Sequence, residues 1–284
     1  MKLKLLILPI LFLISSNIFA NSVFTVLPKE VYQGDPILVT VNKALSVEGE
    51  FFDRKILFKK VGNEWEGIAG VDLLKKPGSY DLIVKIKDES GEVHNFGKKI
   101  VVLERKFFVQ SFTVSKRYDS LSKVDLDRIG KEAKLIRALF KLNTPILWKG
   151  KFLHPLGKKF YGVKGNRFGA RRIINGVSRK PHSGVDYPAA KGTPVFAPND
   201  GKVVLQGNHF FAGNSVFINH GGGLISMYFH FSKIDVKDGQ FVKKGDKIGE
   251  VGATGRVTGP HLHFGIYWLG IRVDPDKILE LPVK

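Results

Sequence analysis

The chain contains no cysteine. That absence removes disulfides, thiolate zinc sites and a lipid-bearing N-terminal cysteine together. Long apolar runs are also missing beyond the first twenty residues, so no later segment reaches the length of about 20 residues that a bilayer span requires. Acidic residues are scarce: 26 Asp and Glu stand against 45 Lys and Arg, for a formal charge of +19. Such an imbalance attracts anionic partners over a distance. The same lysines also serve simple solubility.

What the first twenty residues do contain is an address. Lys2 and Lys4 precede the apolar run Leu5 to Ile14, and Ile18-Phe19-Ala20 ends in a small residue. A basic start, a short apolar core and a small residue at the cut form the pattern of a secretory signal peptide, with cleavage expected after Ala20. The alternative is an uncleaved anchor. Export makes nucleic acid an unsuitable partner for the positive charge and the anionic cell envelope a suitable one. Whether the destination is the periplasm, the cell wall or the exterior stays open at this point.

Residues 21–105 read as short strands. Ile37 to Val41 and Tyr80 to Ile86 are rich in β-branched residues, and the turn signals Gln33-Gly34-Asp35-Pro36 and Lys76-Pro77-Gly78-Ser79 lie beside them. Asp88-Glu89-Ser90-Gly91 turns the chain into a last strand near Lys99 to Leu103. Strands at this spacing predict a small β-sandwich, immunoglobulin-like in outline, without a catalytic cluster. Residues 106–150 are expected to form a helical connector. Leu126, Ile129, Ala133, Ile136 and Phe140 recur at steps of three and four, Ser122 or Asp125 caps the start, and Asn143-Thr144-Pro145 stops the helix. The apolar stripe reads as a packing face.

From about residue 146 glycine and turns become dense. Val203 to Leu205, Ser215 to Asn219, Ile225 to Phe229 and His261 to Trp268 read as strands, with a helix only near Pro275 to Leu279. Residues 151–284 are therefore expected to be an all-β catalytic unit, and the chain as a whole mainly β. Because the sandwich and the connector precede it, either is placed to cover its groove.

Six of the eight histidines fall between residues 182 and 263. His182 and Asp186 are four apart, which in a straight strand separates them by about 13 Å. Zinc ligands sit about 2 Å from the metal, so one ion cannot take both from extended chain. Pro181, Gly184 and Pro188 argue against a helix. A bend at Gly184 running into a strand near Asp186 is the expectation. In His261-Leu262-His263, strand alternation puts both imidazoles on one face and Leu262 in the core. His230 lies at the end of another strand. Imidazole and carboxylate donors suit zinc, and three protein ligands leave a fourth position for water. His94 and His154 read as ordinary core or surface residues.

Taken in order, these blocks resemble the lysostaphin-type, or LytM-type, zinc endopeptidases of bacterial cell walls. The similarity covers roughly residues 152–280. It is carried by Phe168-Gly169-Ala170-Arg171-Arg172, His182-Ser183-Gly184-Val185-Asp186, Gly192 to Pro198, Tyr228-Phe229-His230, Val242 to Gly249 and Gly252 to Phe264. The resemblance implies that His182, Asp186 and His263 hold one Zn2+ per chain. It implies that His261 and His230 flank the attacking water, and that the fold is a two-layer antiparallel β-sheet with a groove over the metal. It also implies a substrate, the peptide cross-links or stem peptides of peptidoglycan. Some relatives carry a tyrosine shortly before the first ligand, where it stabilises the oxyanion; residues 174–181 hold none, and that role is unfilled. His220 occupies a frequent family position and is assigned no catalytic role.

Two other readings compete. LytM-type proteins that have lost ligands act as activators of wall amidases, but here all five positions are intact. Biotinyl and phosphocarrier modules share glycine-rich hairpins. The first needs a hairpin lysine in its own motif, which is absent, and a cytosolic phosphocarrier conflicts with the signal peptide.

Overall fold

In Gly78–Asp88 the side chains of Leu82, Val84 and Ile86 are buried and the residues between them face outward. This alternation is what an antiparallel sheet with one face on a core requires. The computed structural model describes residues 24–118, 121–164 and 168–284; the expected signal peptide lies outside them. Among the described residues no helix is long and apolar enough to cross a membrane.

The first unit consists of two sheets. One has the order β1 (Phe24–Leu27), β3 (Pro36–Asn42), β7 (Glu64–Gly70), β6 (Lys59–Val61). The other runs β2 (Val31–Tyr32), β9 (Val93–Leu103), β8 (Gly78–Asp88), β4 (Ala44–Phe51), β5 (Arg54–Ile56). Ile37, Val39 and Val41 of the first sheet join Leu82, Val84 and Ile86 of the second in one buried cluster.

The connector departs from its expected form. It begins with a strand, β10 (Val109–Phe112), which pairs in parallel with β11 (Arg171–Ile174) and through it with β12 (Val177–Arg179). The helix follows as α1 (Lys123–Leu139), and both expected capping residues act at once. The Ser122 hydroxyl accepts from the Asp125 amide, and the Asp125 carboxylate accepts from the Ser122 amide, a reciprocal capping box. The apolar stripe is only partly a packing face. No residue of α1 is buried, and Leu126 is 55% exposed. The helix instead lies along the catalytic unit. Ile136, Leu139 and Phe140 pack on a small cluster of Phe217, Ile225 and Met227. The Phe140 ring stacks on Tyr267 at 4.1 Å and 2°.

The catalytic unit contains β13 (Val185–Pro188), β14 (Pro194–Phe196), β15 (Gly201–His209), β16 (Gly213–Gly221), β17 (Leu224–Ile234), β18 (Phe241–Val242), β19 (Lys247–Val251), β20 (His261–Trp268), β21 (Ile271–Val273) and a short helix, α2 (Pro275–Glu280). The hydrogen bonds of this unit run through one branched nine-stranded antiparallel sheet. The reason is the length of β17. Its 11 residues pair with β16 and β20 along the first part and with β19 from Phe231 onward. Leu262, Phe264, Ile266 and Trp268 of β20 are fully buried, which turns the alternate face, with His261 and His263, toward the groove.

The two units share a core rather than a hinge. A Cβ on Gly70 would lie 2.4 Å from Val273 Cγ1, so the backbone of β7 sits directly on β21. Around that contact Arg272 forks onto Asp72, with Nη2 to Oδ1 at 2.8 Å and Nε to Oδ2 at 3.2 Å. Arg105 bridges Asp35 of the first unit and Asp274, the cap of α2, the latter at 2.8 Å.

Behind the sheet, His220 is completely buried. Its Nδ1–H donates to the Asp200 carbonyl (2.7 Å), leaving Nε2 to accept from the Ser226 hydroxyl (2.8 Å), which in turn takes the Tyr228 hydroxyl at 2.8 Å. Burial pushes the imidazole down to about 4 from its usual 6.5. Between those two values the unfolded chain binds a proton at this site and the native chain does not, so stability falls as pH drops through that window. The loss expected from His220 is on the order of 3 kcal/mol by pH 4. Urea unfolding of metal-free protein from pH 7 to 4.5, with His220→Gln run beside wild type to separate His220 from the other buried histidines, measures it, and a difference between the two that stays constant with pH would contradict it.

Candidate metal centre

The chain bends at Gly184 between His182 and β13. The bend brings His182 Nε2 to 3.2 Å from Asp186 Oδ1, where a straight strand would hold them far apart. Asp186 sits opposite His263 in the β13–β20 ladder, and His263 Nδ1 lies 2.9 Å from Asp186 Oδ1 and 2.9 Å from His182 Nε2. Three donor atoms from two strands and a loop thus converge on one point. His182, Asp186 and His263 form a group able to hold a metal ion.

The donor set fits a divalent cation. Burial outweighs the neighbouring carboxylate and pushes His182 down to about 4; burial likewise lowers His263. Burial alone would raise Asp186, but hydrogen bonds from His182 and His263 hold it well below the usual carboxylate range. Near neutral pH the three are therefore a carboxylate and two neutral imidazoles, the deprotonated state that metal binding needs. A tetrahedron with zinc bonds of about 2.0–2.1 Å has edges of about 3.3–3.4 Å, so the triangle need open only by a few tenths of an ångström.

Gly184 is required by this arrangement. A Cβ there would meet the Phe264 carbonyl oxygen at 2.4 Å and the His263 ring at 2.8 and 2.9 Å. The His263 ring is clamped on its other side by Phe229, stacked at 4.9 Å and 11°. Its Nε2 is buried with no partner among the described residues. Packing therefore orients this ring, where metal-bound histidines commonly rely on an acceptor behind them. Gly184→Ala is expected to displace His263 and to weaken metal affinity by about 10- to 100-fold. Competition with a calibrated chelator reads this, and unchanged affinity would show that the close approach is immaterial.

His230 and His261 complete the cluster, their rings 4.9 Å apart. His230 adopts a left-handed backbone (φ 71), uncommon for a side chain of this size. Its amide donates to the Ala212 carbonyl (2.9 Å) and its Nδ1–H to the Thr254 carbonyl (2.8 Å). His261 Nδ1–H donates to the Gly259 carbonyl at 2.9 Å. A carbonyl only accepts, so both rings carry a proton on Nδ1. His261 Nε2 lies 3.7 Å from Asp186 Oδ1. Burial, aided by His263 and His261, pushes His230 down to about 3, so it is neutral.

Asp186, His230, His261 and His263, four of the five positions singled out from sequence, line one groove of about 690 Å³, and the buried His182 is joined to it through His263 Nδ1 at 2.9 Å. The connector contributes to the same groove through Gln110, Phe112, Ile129, Glu132 and Ile136. Residues of the first unit's sheets are not among its lining. Domain order alone pointed to the connector here; no local pattern named its residues, because a parallel pairing of residues about 60 apart leaves none. Asp88, Glu92 and His94 form another His-carboxylate group at the β8–β9 hairpin. Asp88 already accepts from the Ser90 amide and hydroxyl and the Glu92 amide there, the bonds of a tight turn.

Residues 180–275, which contain the whole cluster, match peptidase family M23. The chain belongs to this family. As an M23 member it is 46% identical over 113 residues to the peptidoglycan DD-endopeptidase ShyA of Vibrio cholerae, a stretch covering 39% of this chain and 26% of that protein. It is 44% identical over 97 residues to the DD-carboxypeptidase/endopeptidase Mpg of Neisseria meningitidis, covering 34% and 22%. The chain thus spans about a quarter of the length of these relatives. A crystal structure from Pseudomonas aeruginosa described as a candidate M23 peptidase matches much more of the M23 chain. It has a TM-score of 0.62 and 29% identity and covers 85% of this chain and 92% of that one. The likeness in fold therefore takes in the first unit and the connector as well as the family domain.

Proposed function

We propose that the protein is an exported zinc metalloendopeptidase that hydrolyses DD-peptide cross-links of bacterial peptidoglycan. The observation that carries this reading is the convergence of His182, Asp186 and His263 within 3.2 Å of one another beside His230 and His261 in a groove. The names of the relatives support the substrate class. The signal-peptide pattern of residues 1–20 and the charge of +19 support action in the anionic envelope, in the periplasm or the cell wall.

His182 Nε2, Asp186 Oδ1 and His263 Nδ1 would hold one zinc ion. When bound, zinc supplies Lewis acidity, polarising the scissile carbonyl and making water acidic enough to attack near neutral pH. The rest falls to the chain. His230 and His261, their rings 4.9 Å apart in the groove beside the metal ligands, form the pair that accepts the proton of the attacking water and returns it to the leaving amine. Their Nδ1 protons, fixed on the Thr254 and Gly259 carbonyls, keep the rings in the tautomer this needs. Arg172 Nη2, 3.5 Å from Asp186 Oδ2, secures the second carboxylate oxygen. His182, His230 and His263 are buried, which strengthens the interactions they make.

We read the first unit as an immunoglobulin-like spacer or binding module. The order β1-β3-β7-β6 over β2-β9-β8-β4-β5, with β2 parallel to β9, supports this, since it corresponds to the two-sheet arrangement of that class. The intact five-residue set argues against a ligand-free activator of amidases.

The test is digestion of cross-linked muropeptide dimers by the zinc-loaded protein, read by mass spectrometry. Monomers carrying the mass of one added water at the DD bond are expected. Dimers that remain intact with zinc bound would overturn the proposal.

A further inference from the structure

The left-handed backbone of His230 (φ 71) is a conformation that persists only where the surroundings over-determine it. Two acceptors do so, the Ala212 carbonyl for its amide at 2.9 Å and the Thr254 carbonyl for its Nδ1–H at 2.8 Å. The two are tied to each other through the turn that joins β15 to β16. The Asn214 amide donates to Thr254 Oγ1 at 2.9 Å, and the Thr254 hydroxyl donates to the Phe231 carbonyl at 2.9 Å. The backbone of Gly213 lies so close to Thr254 that a Cβ would have no room between them. Residues 211–214 are therefore the brace behind His230, and the place of its ring depends on theirs.

A hairpin end is where a sheet loosens first. Here the connector holds it. Glu132 Oε2 accepts the Phe210 amide at 2.9 Å. Glu132 Oε1 accepts from Arg128 Nε, one helical turn earlier on α1, at 2.7 Å. Arg128 Nη2 in turn donates to the Asn208 carbonyl at 2.8 Å and to the Asn208 side-chain oxygen at 3.0 Å. The buried Phe210 ring meets Tyr118 edge-on at 5.6 Å. Three bonds from two side chains thus fasten residues 208–210 to α1, each with a charged partner and so of the stronger kind. The fastened stretch runs directly into the brace.

We propose that Glu132 is a positioning residue for His230, carrying the grip of the connector helix through Phe210 to Ala212 and so to the backbone that sets the His230 ring in the groove. This rests on the peptidase reading above. It makes α1 part of the frame of the reaction rather than a cover over it. Glu132 touches neither the metal group nor His230, and its effect reaches the chemistry only through the turn. A displacement of about 1 Å in a group that transfers a proton is enough to cost about 100-fold in rate. Release of Phe210 therefore acts on turnover and leaves the ligand triangle of His182, Asp186 and His263 intact.

The experiment uses the full zinc-loaded chain and a cross-linked muropeptide dimer. Glu132→Ala is expected to lower kcat by about 10- to 100-fold, with KM within about twofold of wild type and the zinc content unchanged. Glu132→Gln keeps an acceptor for the Phe210 amide and should recover part of the rate. Leu135→Ala, on the exposed side of the same helix, should leave the rate alone. In a His230→Ala background Glu132→Ala should cost nothing further, because the group it positions is already gone. Ring-nitrogen NMR reads the same coupling without turnover, since the His230 Nδ1–H signal should shift and exchange faster with water in Glu132→Ala. A faster Glu132→Ala would make the connector a cover. A higher KM with kcat kept would make Glu132 a substrate contact. An equal loss with and without His230 would be general damage. Each of these overturns the proposal. If wild type cuts no dimer, the peptidase reading fails and the ring signal alone decides: a shift upholds the brace, and an unchanged signal overturns it.

Discussion

His263→Ala is expected to lose the metal and with it the activity. His263 Nδ1 closes the triangle with His182 Nε2 and Asp186 Oδ1, so its removal leaves one imidazole and one carboxylate. Two ligands from one bent segment do not retain zinc against the water and buffer that compete for it. The carboxylate and the remaining ring would then sit against each other without a cation between them. Hydrolysis should fall by about 10³-fold or more, since activation of water and polarisation of the carbonyl vanish together. Elemental analysis of the purified variant checks the metal, and a muropeptide digest checks the rate. Asp186→Ala and His182→Ala should behave alike, and stripping the wild type with a chelator should mimic all three until zinc is returned. A His263→Ala protein that holds one zinc and turns over normally would rule out this site as the reactive one.

His261→Ala should give the opposite combination, with the metal retained and turnover down by about 10²- to 10⁴-fold. The ring reaches the site through Nε2, 3.7 Å from Asp186 Oδ1, and its Nδ1–H is held by the Gly259 carbonyl. It does not complete the ligand triangle, so its loss removes proton transfer and leaves the donors in place. His230→Ala should share the kinetic defect. It should also cost stability, because His230 fixes the loop carrying Thr254 and is itself buried. The contrast between zinc content and rate is the readout. Wild-type turnover by purified His261→Ala would remove it from the chemistry.

The site was more legible in the sequence than the surface around it. Strand alternation alone gave a shared face for His261 and His263, and Leu262, Phe264, Ile266 and Trp268 are buried behind them as that period requires. The bend at Gly184 followed from the impossibility of ligating one ion from extended chain. The groove's other lining was illegible for a physical reason. β10 is four residues long, alternates weakly and finds its partner β11 some 60 positions away. α1 carried a clear helical period, yet the period does not say which neighbour receives the apolar stripe, and Leu126 faces solvent. The seam between the units was hidden likewise. Arg272 and Asp72 are 200 positions apart, and neither sits in a pattern that announces the other.

That seam limits how the molecule can be taken apart. Gly70 is pressed against Val273, Ile271 and Trp268, all within 4 Å of where its side chain would begin. A fragment retaining only the family domain would present those apolar residues to water as a raw adhesive face and would leave Arg272 without Asp72. Such a fragment is prone to self-association, and any change in its rate would confound a damaged foundation with a lifted restraint. Exchanges of segments with related chains should therefore carry β7 and β21 together as an inseparable graft.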